Sequence, residues 1–129
     1  MHYQTGLETA GVFMRLESQI REGVCVLRLQ GRFVTGSDAE LTSAQSLLRE
    51  AGIVNAVIDL SAVPYVDSTG LGFVVELHKS IVGRGGQLFL AGANQRVREV
   101  LQITRIGEII PQFEDVEDAE AALRGEVLC

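Results

Sequence analysis

The residues of this 129-residue chain that could do chemistry gather in one run, Val66-Asp67-Ser68-Thr69-Gly70-Leu71-Gly72. It joins an apolar run, Ala56 to Leu60, to another, Phe73 to Leu77. A carboxylate, two hydroxyls and two glycines at such a junction suit four roles: a catalytic carboxylate, a phosphate cradle, a phosphorylatable hydroxyl, or a plain entry into a helix. Aspartic proteases pair two carboxylates over one proton, each in Asp-Thr-Gly or Asp-Ser-Gly. Here the glycine comes one residue late, and the flanks predict strand-to-helix rather than an all-β barrel. A phosphate loop needs GxxxxGK[ST]. Neither Ser68 to Gly72 nor Gly83-Arg84-Gly85-Gly86 supplies that lysine, and neither matches GxGxxG. A nucleophile elbow needs GxSxG, but Val66-Asp67 precede Ser68. The only histidines are His2 and His78. His78 falls on the apolar side of a predicted helix and reads as a packed neutral side chain. Neither histidine has neighbours at ligand spacing, so no metal site and no Ser-His pair is expected. The reading is therefore no enzyme, no metal and no cofactor.

A modifiable hydroxyl and a helix cap remain. Ser68 stands at the predicted helix start, where the first N–H groups lack helical partners and the dipole is positive. A hydroxyl there caps the helix. Carrying a phosphate, the same hydroxyl would sit in a ready anion site and add about −1.5 to −2 charges beside Asp67. Thr69 is the alternative acceptor. Gly70 and Gly72 each cost roughly 1 kcal/mol against alanine in a helix, which points to close approach by other backbone, from this chain or from a partner. Leu71 between them is expected to project outward.

These residues need a scaffold. Residues 1–11 read as a leader and 12–129 as one domain. Val12 to Ile20 and Val24 to Gly31 read as two strands joined by a tight turn. Gly31 to Gly36 is a loop, with Ser37 or Asp38 capping a helix from Ala39 to Ala51 that turns Leu41, Ala44, Leu47 and Leu48 inward and stops at Gly52. Ile53 to Leu60 is a strand apolar enough to be buried on both faces. On the next helix, Ser68 to Val82, the spacing of Leu71, Val74, Val75, His78, Ile81 and Val82 makes one face apolar. Gln87 to Gly92 is a strand, and Asn94 to Arg105 a helix with Val97, Val100 and Leu101 inward. Glu108 to Phe113 is a last, edge strand, since Pro111 blocks central pairing. Asp115 to Gly125 closes with a helix. The order β, β, α, β, α, β, α, β, α predicts an α/β fold: a mixed, mostly parallel sheet with helices packed on it.

Composition bounds the partners. Hydrophobic residues at 47% allow an ordinary core, and a net charge of −6 with a pI of about 4.9 argues against nucleic acid or an anionic membrane. The start of the chain lacks the basic and apolar regions of a signal peptide, and no apolar run reaches the ~20 residues of a membrane span, so the cytoplasm is the expected compartment. Cys25 reads as a small buried hydrophobe and Cys129 as a terminal thiol, with no disulfide framework.

The strand ending in Asp59-Leu60, then Val66 to Gly72, then Gly85 to Leu101, then Ile103 to Ile110, in this order, resemble STAS domains, in particular bacterial anti-sigma factor antagonists. The likeness runs from about Val24 to Leu123. It implies a STAS-like fold and a partner that is both anti-sigma factor and serine kinase of the histidine-kinase-like ATPase family. It also implies phosphorylation of the serine after the motif aspartate, here Ser68, which breaks the complex, and a serine phosphatase that reverses it. Loops at strand ends on one edge of the sheet give the expected docking surface, Gly31, Arg32, Phe33, Val34 and Thr35 with Asp67, Ser68, Thr69, Gly70, Leu71 and Gly72, bordered by Ala93 to Arg98. One departure stands out. Many antagonists read Gly-Glu-Leu-Asp where this chain reads Gly31-Arg32-Phe33-Val34, so an acid is missing. That substitution suits the alternative, a constitutive STAS interaction module that ignores the state of Ser68.

Overall fold

The computed structural model describes residues 14–31 and 38–125. Strand β1 (Met14–Arg21) turns through Glu22 and Gly23 into β2 (Val24–Gly31), and the two pair antiparallel from Met14 with Gly31 to Arg21 with Val24. Helix α1 (Asp38–Glu50), β3 (Asn55–Ala62), α2 (Ser68–Gly83) and β4 (Gln87–Ala91) follow. Then come α3 (Gln95–Ile103), a helical turn α4 (Ile106–Ile109), β5 (Gln112–Phe113) and α5 (Val116–Leu123). The strands lie side by side in chain order, and all pairs after the first are parallel. This is the mixed α/β sheet that the alternation predicts.

Strand side chains alternate between faces. One face carries Cys25, Leu27 and Leu29 of β2, Ala56, Ile58 and Leu60 of β3, and Leu88 and Leu90 of β4. Against it pack Ala44 and Leu48 of α1, Phe73, Val74, Leu77 and Ile81 of α2, and Val97 and Leu101 of α3. The other face carries Val24, Val57 and Ala91, covered by α5 through Ala119 with Val116 and Leu123 beside it. Phe89 and Phe113 stack there with ring centroids 5.0 Å apart. Burial on both faces explains the apolar run of β3. Cys25 is fully buried, and burial pushes its thiol up to about 12, so it is an inert hydrophobe at neutral pH.

Gly52 and Gly92 show how geometry demands glycine. Gly52, at φ +69, ends α1 in the left-handed region as predicted. Gly92, at φ +76, leaves β4 so close to β3 that a Cβ would lie 3.1 Å from the Ser61 Cβ.

Three expectations are corrected. Glu108 and Ile109, read as the start of the last strand, belong instead to α4: Arg105, at φ +63, starts that turn, leaving only Gln112 and Phe113 to pair. Pro111 still joins the edge through its carbonyl, which accepts from Leu90 N–H at 2.9 Å. Val82 is 51% exposed, because the buried arc of α2 is centred on Phe73, Val74, Leu77 and Ile81. Leu71 does not project freely; it is partly buried against the core. The expected leader, residues 1–11, and the loop positions Arg32, Phe33, Val34 and Thr35 lie outside the described residues. Among the described residues, no helix is long and apolar enough to cross a membrane.

Candidate functional site

The C-terminal ends of β2, β3 and β4 form one edge of the parallel sheet, where open α/β sheets commonly place sites. Gly31 ends β2 at this edge, one residue beyond the pairing of Gln30 with Ala62. The segment 63–67 leads from β3 into α2, and 92–94 leads from β4 into α3.

Asp67 caps α2. Its Oδ1 accepts from Gly70 N–H at 3.0 Å, and its carbonyl accepts from Leu71 N–H at 3.0 Å. Ser68 is therefore the first helical residue, not the cap, and it is exposed. The expectation that Ser68 caps the helix is thus corrected by one position. Asp and Ser are nearly equal as caps, so the sequence alone could not rank them. The consequence is chemical: a carboxylate satisfies the helix end, and the serine beside it stands in water at the positive end of the helix dipole.

Gly70 is buried while Gly72 is exposed. A Cβ at Gly72 would meet no heavy atom within 4 Å. Packing inside the domain therefore does not require this glycine, although it lies one turn along α2 from Ser68.

The start of α3 is fastened to the same loop. Asn94 Oδ1 caps α3 by accepting from Val97 N–H at 2.9 Å, while its Nδ2 donates to Val63 O at 3.4 Å and Pro64 O at 3.3 Å. Beside it, the Arg96 guanidinium lies over the Tyr65 ring, 5.7 Å from the centroid. Asn94 and Arg96 thus reach the loop 63–65 that leads into the motif. Tyr65 escaped the sequence reading, because an exposed aromatic between two apolar runs carries no periodic signal.

Asp59 escaped it as well. Its carboxylate is buried in mid-sheet, accepts from Arg28 Nε at 3.2 Å and from Ser61 N–H at 3.0 Å, and so holds β3 where its register with β2 slips. Its work is structural. Among the described residues there is no group of acids, histidines or cysteines placed to hold a metal.

Fold and motif define a class: an α/β domain that presents a serine at a helix start, beside its capping aspartate, on the C-terminal edge of a mixed sheet. The STAS domain model matches residues 15–119, and the chain belongs to the STAS domain family. The anti-sigma-B factor antagonist of Listeria monocytogenes is 37% identical over 68 residues, covering 53% of this chain and 56% of that protein. The crystal structure of an anti-sigma factor antagonist from Mycobacterium paratuberculosis is 22% identical, with a TM-score of 0.77 over 90% of this chain and 98% of that one. The anti-sigma factor antagonist SpoIIAA matches in two states. Its unphosphorylated form gives a TM-score of 0.71 at 18% identity over 98% of this chain and 100% of that one. The phosphorylated Bacillus form gives 0.61 at 16% identity over 94% and 99%. The chain spans 56–66% of the length of the first curated relatives it matches.

Proposed function

We propose that this chain is an anti-sigma factor antagonist. In this reading it binds an anti-sigma factor that is also a serine kinase of the histidine-kinase-like ATPase family, and so frees a sigma factor. Phosphorylation of Ser68 ends the complex and a serine phosphatase restores it, all in the cytoplasm. The observation that carries the reading is the exposed Ser68 at the first position of α2 with Asp67 already serving as cap. Modification there changes the charge of the surface without removing a bond that the fold needs. The names of the relatives support the partner class, and a phosphorylated SpoIIAA supports modification within the family. The docking surface is read as Gly31 to Thr35 with Asp67 to Gly72.

The test is calorimetry of the chain against its anti-sigma factor kinase. A charge forced into an interface without a partner is costly, so Ser68→Asp should bind at least about a hundredfold more weakly, or ~2.7 kcal/mol. Ser68→Ala should bind like the parent and resist modification. Phosphopeptide mapping from the native cells separates Ser68 from Thr69. Equal binding by the parent and Ser68→Asp would favour the constitutive interaction module that Val34, in place of an acid, suggests.

A further inference from the structure

We infer that Arg96 is the phosphate-contacting residue of the Ser68 site, and that phosphorylation works by drawing its guanidinium off the Tyr65 ring. The inference rests on the reading of Ser68 as the modified residue and adds how the modification is felt.

Tyr65 precedes Ser68 by three residues, so their Cα atoms lie within about 10 Å however the loop runs. Arg96 already reaches that loop, with its guanidinium carbon 5.7 Å from the Tyr65 ring centroid. Its starting point is fixed, because Asn94 ties the first turn of α3 to the carbonyls of Val63 and Pro64. Among the described residues, the nearest rival cations on α2 and α3 are placed worse. Lys79 pairs with Glu76 at 3.6 Å and sits eleven residues along α2, about 16 Å away. Arg98 borders Gly92, Phe113 and Glu114 instead.

The contact that Arg96 would give up is weak and the one it would gain is strong. Tyr65 is 44% exposed, and a cation over a ring in water is among the lesser attractions. A guanidinium forks onto a phosphate through parallel charge-assisted hydrogen bonds. The helix end cannot serve the phosphate as fully, because Asp67 already occupies Gly70 N–H. Tyrosine and arginine are the residues of which docking hot spots are commonly built. Phosphorylation would therefore dismantle an exposed Tyr–Arg pair as well as add charge.

The test uses the full chain with phosphoserine installed at position 68 by genetic-code expansion, observed by phosphorus NMR and by nitrogen-resolved spectra of the arginine side chains. In this reading the second ionisation of the phosphate feels Asp67 beside it and Arg96 from α3, whose neighbour Glu99 is held by Gln95 at 3.2 Å. It should fall about 1 unit lower in the parent than in Arg96→Gln, while Arg98→Gln leaves it unchanged. The Arg96 Nε–H signal should move between the serine and phosphoserine forms. Arg96→Lys, which keeps charge without the fork, should fall between, and guards against a folding defect in Arg96→Gln. An identical ionisation in the parent and both Arg96 variants, or an unmoved Arg96 signal, overturns the inference. Neither result depends on a kinase. A Ser68 left unmodified in cells would overturn the functional reading while leaving this spectrum as it is.

Discussion

The two ends of the sheet use the same kinds of side chain in opposite ways. At the hairpin end, Arg21 Nη2 donates to Glu120 Oε1 at 2.7 Å, and Arg124 lies 3.4 Å from Glu22 and 4.0 Å from Glu120. The Glu120 side chain is 5% exposed, so this cluster closes α5 over the β1–β2 turn. At the motif end an acid again meets a backbone or a cation, but the group beside it stays in water. Asp67 holds the helix start and leaves Ser68 outside; Asn94 holds α3 and leaves Arg96 and Tyr65 outside. One end invests its polar groups in closure. The other satisfies its backbone with the fewest side chains and leaves a chemically addressable surface. A modification at the second end can therefore change the surface charge there without threatening the fold.

The strongest way to break this contrast is at the hairpin end. Arg21→Met keeps the aliphatic length and strips the buried Glu120 of its nearest partner. Removing one member of a buried pair costs about 3–5 kcal/mol. Arg21 is 43% exposed and Arg124 remains nearby, so about 2–3 kcal/mol is expected, read as a lower urea midpoint with unchanged slope. Docking should be unaffected. A variant as stable as the parent would show that this cluster does not fasten α5.

The motif end should respond more gently. Asp67→Ala removes one cap and should cost about 1 kcal/mol, whereas Asp67→Asn, an equally good cap, should cost almost nothing. Urea unfolding of the pair separates cap from charge. An equal loss in both would mean that the carboxylate's charge, and not its hydrogen bond to Gly70, holds the start of α2.

The sequence made most of this architecture legible because its strong signals are local. β3 is apolar and β-branched, α3 repeats its apolar residues at Val97 and Leu101, and Gly52 stops α1 where a left-handed residue is needed. The misreadings share a physical origin. Ser68 and Asp67 are rival caps, and only the bond to Gly70 decides between them. Ile109 is 64% exposed, and the start of the apolar run that looked like strand belongs instead to the surface turn that Arg105 begins. Tyr65 and Arg96 lie thirty-one residues apart and meet only through the parallel crossover from β3 to β4. No local pattern could announce that pair.

Gly72 gives the smallest effect and the sharpest one, because stability and docking should move in opposite directions. Its φ is ordinary for a helix, and an added methyl would touch nothing within 4 Å. Alanine there should therefore stabilise by about 0.5–1 kcal/mol, through helix propensity alone. A rise of a few degrees in Tm would register it. If a partner's backbone lies against this turn of α2, the same methyl should weaken docking in calorimetry even as the melt improves. A variant more stable and equally tight would place the partner elsewhere on the edge, toward Tyr65 and α3. A variant less stable would mean that α2 is not helical at Gly72, which would undo the contrast between a closed end and a bare one at one of its exposed residues.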